Sequence, residues 1–434
     1  MTSIKPMRFA QRLLLLAISL LSSLLPARAC SGYKVTLGTK TMVGANEDAW
    51  RMTSQIWFET ATATAPIGAM FTGSRFDGAN GHAPQSGLNE AGLCFQRLAS
   101  PVGTSKPAPV GPKPIENQTL YLKTILHQCK TVEEVAQFIR QYRQSDFPGD
   151  VFLYIDKSGR YLTVEPYALT LGAEPKYVIS NFCPSSTPLP EANKLERYRN
   201  GAAFLGQSLD TTLAFCQALS DTMHVCRPKV GDGTLLTSIY DLNAGAVNLY
   251  FYHDYQHTAR FSLQDELQQG DHSILIPSLF PANAEFERLR TYQTPQNNPN
   301  MLFSLLACIG LFSFSTLYFN VRAFRNKDEN RLKVLALIPA GLFLSYYLFS
   351  LVRDAGPFFF AAPYKDPHSL LLSLASYLPF GLLLAIVPLT KMVYNRFRNR
   401  STGVFTTLLT AANLLAIGML ICFFGYWGFY AIAS

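Results

Sequence analysis

The sequence predicts a mixed α/β domain followed by a membrane region. Strand-like and helix-like patterns alternate between residues 30 and about 290, with turn residues between them. Beyond residue 300 come four apolar runs, each long enough to cross a hydrocarbon layer of about 30 Å. The 434 residues are 48% hydrophobic and 15% charged, and the apolar excess sits at the N-terminus and in the last third. That uneven distribution points to membrane segments rather than to an oversized core.

Residues 1–29 read as a secretory leader. Lys5, Arg8 and Arg12 precede an apolar stretch from 13 to 25, and Ala27-Arg28-Ala29 fits a small-x-small cleavage site. The stretch is too short to span a bilayer as a helix. Cutting after Ala29 exposes Cys30 as a new N-terminus.

The domain assigned to 30–292 begins with a hairpin, in which Gly38-Thr39-Lys40-Thr41 separates a strand ending near Leu37 from one starting near Met42. Pro101, Pro107, Pro109, Pro112 and Pro114 make 100–117 an exposed loop. Leu120, Ile125 and Leu126 indicate a helix, and Thr131 with Glu134 forms a capping box that opens another. Two more hairpins are expected, one around Asp156-Lys157-Ser158-Gly159 and one around Asn243-Ala244-Gly245. A polar linker follows at 293–300, then a membrane region at 301–434 with spans near 302–320, 334–352, 370–389 and 404–432.

Charge sets an orientation. The first connection between spans carries Arg322, Arg325, Lys327, Arg331 and Lys333, and the third carries Lys391, Arg396, Arg398 and Arg400. The middle one carries Arg353 and Lys365. The positive-inside rule places the first and third in the cytoplasm and the N-terminal domain outside, on the periplasmic side. The net charge of +8 is largely accounted for by such flanking residues, and with no basic stripe interleaved with aromatics, nucleic acid is not an expected partner. No span shows a charged residue near its centre, so anchoring is the simplest role for the region.

Of eight cysteines, Cys308 and Cys422 fall in apolar runs. Six remain in the exported domain; with Cys30 free, at most two disulfides are possible. There is no CxxC spacing or His/Cys cluster in the sequence, so no metal is expected, and the seven histidines show no triad spacing.

A cysteine at a new N-terminus supplies a thiol nucleophile and an α-amine that can accept its proton. A disulfide or a lipid attachment are the other readings of such a residue. Following Cys30-Ser31-Gly32 come Val43-Gly44-Ala45-Asn46-Glu47-Asp48-Ala49-Trp50, Gly87-Leu88-Asn89-Glu90-Ala91-Gly92-Leu93 and Tyr177-Val178-Ile179-Ser180-Asn181-Phe182. With Cys129 to Val135, Ile155 to Gly159, Thr237 to Leu242 and Ile276 to Phe280, this ordered set resembles the choloylglycine hydrolase and penicillin V acylase family of N-terminal nucleophile (Ntn) hydrolases.

The resemblance implies a four-layer αββα sandwich followed here by a four-helix membrane region. It implies Cys30 as nucleophile, Asp48 orienting the amine or thiol, Asn89 donating its side-chain amide to the oxyanion, and Asn181 fixing the amine and the scissile amide. Arg197, in Glu196-Arg197-Tyr198-Arg199, matches the family's downstream arginine. Asn46 and Trp50 flank Asp48 as candidate substrate contacts, although a tryptophan in such a strand is more often core. The family's bile-salt hydrolases carry an arginine where Ala45 stands, which removes a reason to expect bile-salt specificity. The implied reaction is hydrolysis of a linear, non-peptide amide through an acyl-enzyme, without metal or organic cofactor. Amphiphilic N-acyl amides are plausible substrates beside a bilayer. Acyl transfer from the same intermediate, or an inactive membrane-anchored binding protein, are the alternatives.

Overall fold

A computed structural model of the chain describes residues 30–49, 53–100, 113–226, 233–325, 331–360, 362–366, 369–399 and 403–431. The leader at 1–29, Trp50 and most of the proline-rich loop, at 101–112, lie outside the described residues. Among the described residues, those up to Tyr292 form one compact unit and those from Gln293 a second.

The first unit is a mixed α/β structure built on two antiparallel sheets. Strands β1 (Cys30–Leu37), β2 (Lys40–Ala49), β3 (Gln55–Glu59), β4 (Ala69–Gly73), β5 (Ser86–Asn89), β6 (Cys94–Ala99) and β7 (Asp150–Ile155) are followed by seven more. These are β8 (Tyr161–Glu165), β9 (Ala168–Gly172), β10 (Lys176–Ser180), β11 (Gly233–Asp241), β12 (Ala246–Phe251), β13 (Asp254–Ser262) and β14 (His272–Leu275). One sheet runs β10-β1-β2-β11-β12-β13, the other β9-β8-β7-β6-β5-β4-β3-β14.

The first hairpin is tighter than its sequence suggests, because pairing continues to Leu37↔Lys40 and only Gly38 and Thr39 turn the chain. Gly38 takes φ +62, a left-handed conformation that costs glycine little. From there the register runs back without interruption to Cys30↔Glu47. The hairpins at 156–159 and 243–245 form as expected, joining β7 to β8 and β11 to β12.

Helices cover the outer face of each sheet. Helix α1 (Gln118–Gln128) starts at Asn117, whose side chain accepts the Leu120 N–H, and α2 (Val132–Ile139) starts at Thr131, whose side chain accepts the Glu134 N–H. The capping box is closed by Glu134 Oε2, which accepts the N–H of Lys130 rather than that of Thr131. Leu122, Ile125, Leu126, Val132, Val135 and Ile139 pack with Phe71, Phe95, Phe152 and Leu162 of the larger sheet. On the smaller sheet, α3 (Glu196–Gln207) and α4 (Leu213–Met223) bring Leu205, Leu219 and Met223 onto Tyr33, Val35, Met42 and Ile239. The inner faces meet through polar contacts, Ser74 Oγ donating to Glu47 Oε1 at 2.6 Å and Ser86 Oγ lying 2.8 Å from Tyr240 Oη. The order of layers is therefore helix pair, sheet, sheet, helix pair. A last helix, α5 (Ala284–Thr291), ends the unit.

The second unit contains α6 (Pro299–Arg325), α7 (Arg331–Arg353), α8 (Leu370–Ala375), α9 (Leu378–Asn399) and α10 (Val404–Tyr426). Among the described residues three stretches are long and apolar enough to cross a membrane, Pro299–Arg322, Leu370–Arg398 and Val404–Tyr426. The sequence reading of four spans is thus corrected to three. The remaining run does form a helix, α7, which holds Pro339 within it and whose side chains are described only from residue 339 onward. The helices are tied by polar contacts of the kind favoured in apolar surroundings, Asn413 Nδ2 donating to Ser315 Oγ at 2.7 Å.

None of the eight cysteines is joined in a disulfide. The sequence allowed two pairs. Five of the six in the first unit are buried, Cys94, Cys129 and Cys216 within helix–sheet or sheet layers, where they behave as small apolar residues.

Candidate functional site

Cys30 opens β1, a strand flanked on both sides by β10 and β2. Pairing of Ser31 with Ser180 places Asn181 one step further, beside Cys30. The backbone N–H of Cys30 donates to Asn181 Oδ1 at 2.8 Å, and Ser180 Oγ donates to the Cys30 carbonyl at 3.1 Å. Arg197, in the first turn of α3, joins both: Nη2 donates to Asn181 Oδ1 at 2.8 Å and Nε to Ser180 Oγ at 2.7 Å. Each of these side chains is almost fully buried, Arg197 at 8% exposure included. A guanidinium taken this far from water is normally held by several acceptors.

Asp48 approaches from β2. Thr234 Oγ1 donates to its Oδ1 at 2.5 Å, and Thr234 Oγ1 also accepts the N–H of Val225 at 2.9 Å. Burial pushes the Cys30 thiol up to about 12, and the Asp48 and Glu47 carboxylates add to the rise. A backbone hydrogen bond from Asp48 and the charge of Arg197 act in the opposite direction. With Cys30 still in peptide linkage, its sulfur is therefore a protonated, unreactive thiol at neutral pH.

Cys30, Asp48, Asn181 and Arg197 are brought together; Asn89 is not. Asn89 ends β5, and both of its amide hydrogens are committed, to Leu126 O at 2.7 Å and Cys129 O at 2.8 Å. Its Oδ1 accepts the N–H groups of Ala91 and Leu93. The side chain closes the β5–β6 turn and caps the end of α1, so in this structure neither amide hydrogen is available to an oxyanion. Asn46 is also a tie rather than an open contact: Nδ2 donates to Ser220 O at 3.0 Å and Oδ1 accepts from Thr237 Oγ1 at 2.8 Å. It faces α4 together with Ser31, whose Oγ donates to Met223 O. Trp50 falls outside the described residues.

Asn181 offers what Asn89 does not. Its Nδ2 donates one hydrogen to Ala99 O at 2.5 Å, and no second acceptor is found among the described residues. Ser180, Glu47 and Thr234 were not singled out in the sequence. The only signal for Ser180 was its place beside Asn181 on a strand that pairs with β1; Glu47 and Thr234 carried none. Between the sheets, Ser31, Glu47, Thr72, Ser86, Gln96 and Ser238 line a cavity of about 10 Å³. That is room for about one water. Gln96 Nε2, buried and without a partner, is the donor such a water would satisfy.

No family model matches the sequence, and no curated protein matches it. Among solved structures, the chain is similar to two variants of conjugated bile acid hydrolase from Clostridium perfringens. Both have a TM-score of 0.43, at 16% and 17% identity, covering 58% of this chain and 97% of theirs. It is also similar to penicillin V acylase from Agrobacterium tumefaciens, with a TM-score of 0.39 and 14% identity over 54% of this chain and 91% of the acylase. Solved structures to which this chain is similar thus include conjugated bile acid hydrolase and penicillin V acylase.

Proposed function

We propose that the N-terminal unit is an Ntn-type amidase that cleaves linear, non-peptide amides with Cys30 as nucleophile, once the bond between Ala29 and Cys30 has been cut. The observation that carries this reading is the clamp on Cys30, whose N–H and carbonyl are both held by groups bonded to Arg197. A structural cysteine needs no such frame around its backbone nitrogen. An amine that must act as a base does, because its lone pair has to point at the thiol.

In the mature chain that nitrogen is an α-amine with an unperturbed pKa near ~8. The thiol proton passes to it, and the resulting ammonium, together with Arg197, offsets the burial that otherwise keeps the sulfur neutral. The thiolate attacks the amide carbonyl carbon, forming a C–S bond and an oxyanion. The second N–H of Asn181 Nδ2 is the donor available to that oxygen. Collapse breaks the C–N bond, the ammonium proton leaves with the amine, and a thioester remains. Water then attacks the thioester with the α-amine as base, releasing a carboxylic acid and restoring the thiol. Asp48, fixed by Thr234, sets the thiol through its backbone and repels a premature thiolate through its charge.

The three apolar stretches would hold the unit at a membrane, with the unit on the extracytoplasmic side that the leader implies. Amphiphilic N-acyl amides are then the substrate class within reach. The test is release of carboxylic acid from a panel of N-acyl amides by the purified mature protein, alongside Cys30→Ser and the intact mass of the N-terminus. A free N-terminal Cys30 with turnover lost in Cys30→Ser is expected. Undiminished turnover in Cys30→Ser, or an unprocessed chain that is active, overturns the reading.

A further inference from the structure

Cys226, His253 and Glu285 are scattered across sixty residues of sequence and show no ligand spacing, yet the fold brings them to one point. Their candidate ligand atoms all lie within 4.8 Å of one another. Cys226 Sγ already stands 3.9 Å from Glu285 Oε2. Ligands of a tetrahedral zinc ion at metal–ligand distances of about 2.0–2.3 Å stand about 3.5 Å apart. Closing the cluster takes a shift of about 1 Å, within the range of side-chain rotation.

His253 is the part that calls for a ligand. Both of its ring nitrogens are buried, and neither has a hydrogen-bond partner. It sits in the turn between β12 and β13 at φ +60, following Tyr252 at φ +55. Two successive left-handed residues are what Asn-Gly or Gly-Gly supply at least cost, so turn chemistry does not account for Tyr-His here. Asn283 Nδ2 donates to Tyr252 O at 3.3 Å, and Asn283 Oδ1 accepts the N–H of Glu285 at 3.0 Å. The turn and the start of α5 are thereby locked together, and they hold His253 and Glu285 in place beside Cys226. The alternative partner of Glu285 is Arg288 at 3.8 Å, an ion pair with both side chains about half exposed. Such pairs contribute little.

We propose that Cys226, His253 and Glu285 bind one zinc ion, with the fourth position open to water. Sulfur, imidazole and carboxylate form a donor set that suits zinc better than magnesium or calcium, which take oxygen ligands. Binding would transfer the Cys226 thiol proton to solvent and form three metal–ligand bonds. The ion would pin the segment at Val225-Cys226 to α5. Val225 bonds to Thr234, and Thr234 to Asp48, so the ion would steady the far end of the chain of contacts that reaches Cys30. The binding itself is independent of the chemistry proposed at Cys30.

The test uses the full chain in detergent with a thiol-sparing reductant, stripped by chelator and titrated with Zn²⁺ against a chromophoric competitor. Cobalt(II) in place of zinc reports a thiolate ligand by its charge-transfer absorption. One zinc per chain is expected, with affinity lower by at least ~100-fold in Cys226→Ser, Glu285→Gln and His253→Asn, since even outer partners of a metal site cost about 10–100-fold. Asparagine is chosen at 253 because it tolerates a positive φ, and unchanged melting of the zinc-free variant shows that the fold is kept. Cys30→Ser, which removes the proposed nucleophile, should still bind one zinc. Absence of zinc binding, equal binding by all three variants, or loss of binding in Cys30→Ser overturns the proposal.

Discussion

Asn181 Oδ1 accepts the backbone N–H of Cys30 at 2.8 Å. The same oxygen accepts from Arg197, leaving the Asn181 amide nitrogen with one hydrogen to spare beyond its bond to Ala99. In the proposed reaction, Asn181 would both aim the nitrogen of Cys30 and offer its remaining N–H to the oxyanion. Asn181→Ala should lower kcat per folded molecule by about 10²–10³, the usual effect of deleting an oxyanion donor, and should also lower the melting temperature, because Arg197 and the Cys30 N–H lose a buried acceptor. Equal turnover in Asn181→Ala would remove this residue from the chemistry.

Arg197 presents two nitrogens to two acceptors, Ser180 Oγ and Asn181 Oδ1. A lysine cannot reproduce that planar fork. Each charge-assisted bond contributes about 1.5–3 kcal/mol. Arg197→Lys should therefore lose at least ~10-fold in kcat/KM while retaining a positive charge, and Arg197→Gln should lose more. Steady-state kinetics on the two variants checks the order; full activity in Arg197→Lys would show that charge alone suffices.

Asn89 makes the opposite prediction. Its side chain closes four bonds, two of them to carbonyls 37 and 40 residues away. Asn89→Ala leaves those buried groups unpaired and should destabilise the domain by about 3 kcal/mol, since each buried unsatisfied group costs about 1–3 kcal/mol. The variant should show a lower urea midpoint, with activity per folded molecule close to that of the parent. A normal midpoint combined with lost turnover would return Asn89 to the catalytic set.

Local signals were legible in the sequence, and long-range commitments were not. The turn at Gly38, the cap at Thr131 and the hairpin at Asn243 each declare themselves within a few residues, because turn and cap chemistry is local. The same holds for Cys30, whose candidacy came from the leader before it. The bonds of Asn89 were not legible because the acceptors of its amide lie at the end of α1, and nothing near Asn89 in the chain names them. The cluster of Cys226, His253 and Glu285 was invisible for the same reason, three elements meeting only in the fold. Of the four apolar runs, three are spanning stretches among the described residues.

Three stretches long and apolar enough to cross a bilayer should make the chain an integral membrane protein. Alkaline carbonate, which strips proteins held by charge, should leave it in the membrane pellet, while detergent should release it. Recovery in the carbonate supernatant would show that the apolar helices are buried in a protein assembly instead.

His127 sets a pH dependence on the first unit. Nδ1 lies 2.8 Å from Ile67 O and Nε2 lies 2.9 Å from Glu59 Oε2, both acceptors, so the ring is fully bonded only as the doubly protonated cation. Burial opposes that charge, but the bond to Glu59 outweighs it and His127 is held above its ordinary 6.5. Burial likewise opposes the Glu59 carboxylate, and the bonds from His127 and Lys123 bring it down to about 2. A raised histidine stabilises the fold fully below about pH 6.5 and loses that contribution as pH climbs through its folded value. A depressed carboxylate stabilises above about pH 4.5 and loses its contribution as pH falls toward its folded value. Their window of joint stabilisation therefore lies between about pH 4.5 and 6.5. Within it the parent should melt about 2–4 °C above His127→Gln, as expected for ~1 kcal/mol in a domain of this size. The gap should narrow as pH rises from 7 toward 9, whereas for Glu59→Gln it should narrow on acidification below about pH 4. Melting curves across that range decide it, and a gap for His127→Gln that stays constant from pH 5 to 9 would mean that folding does not shift the titration of the ring.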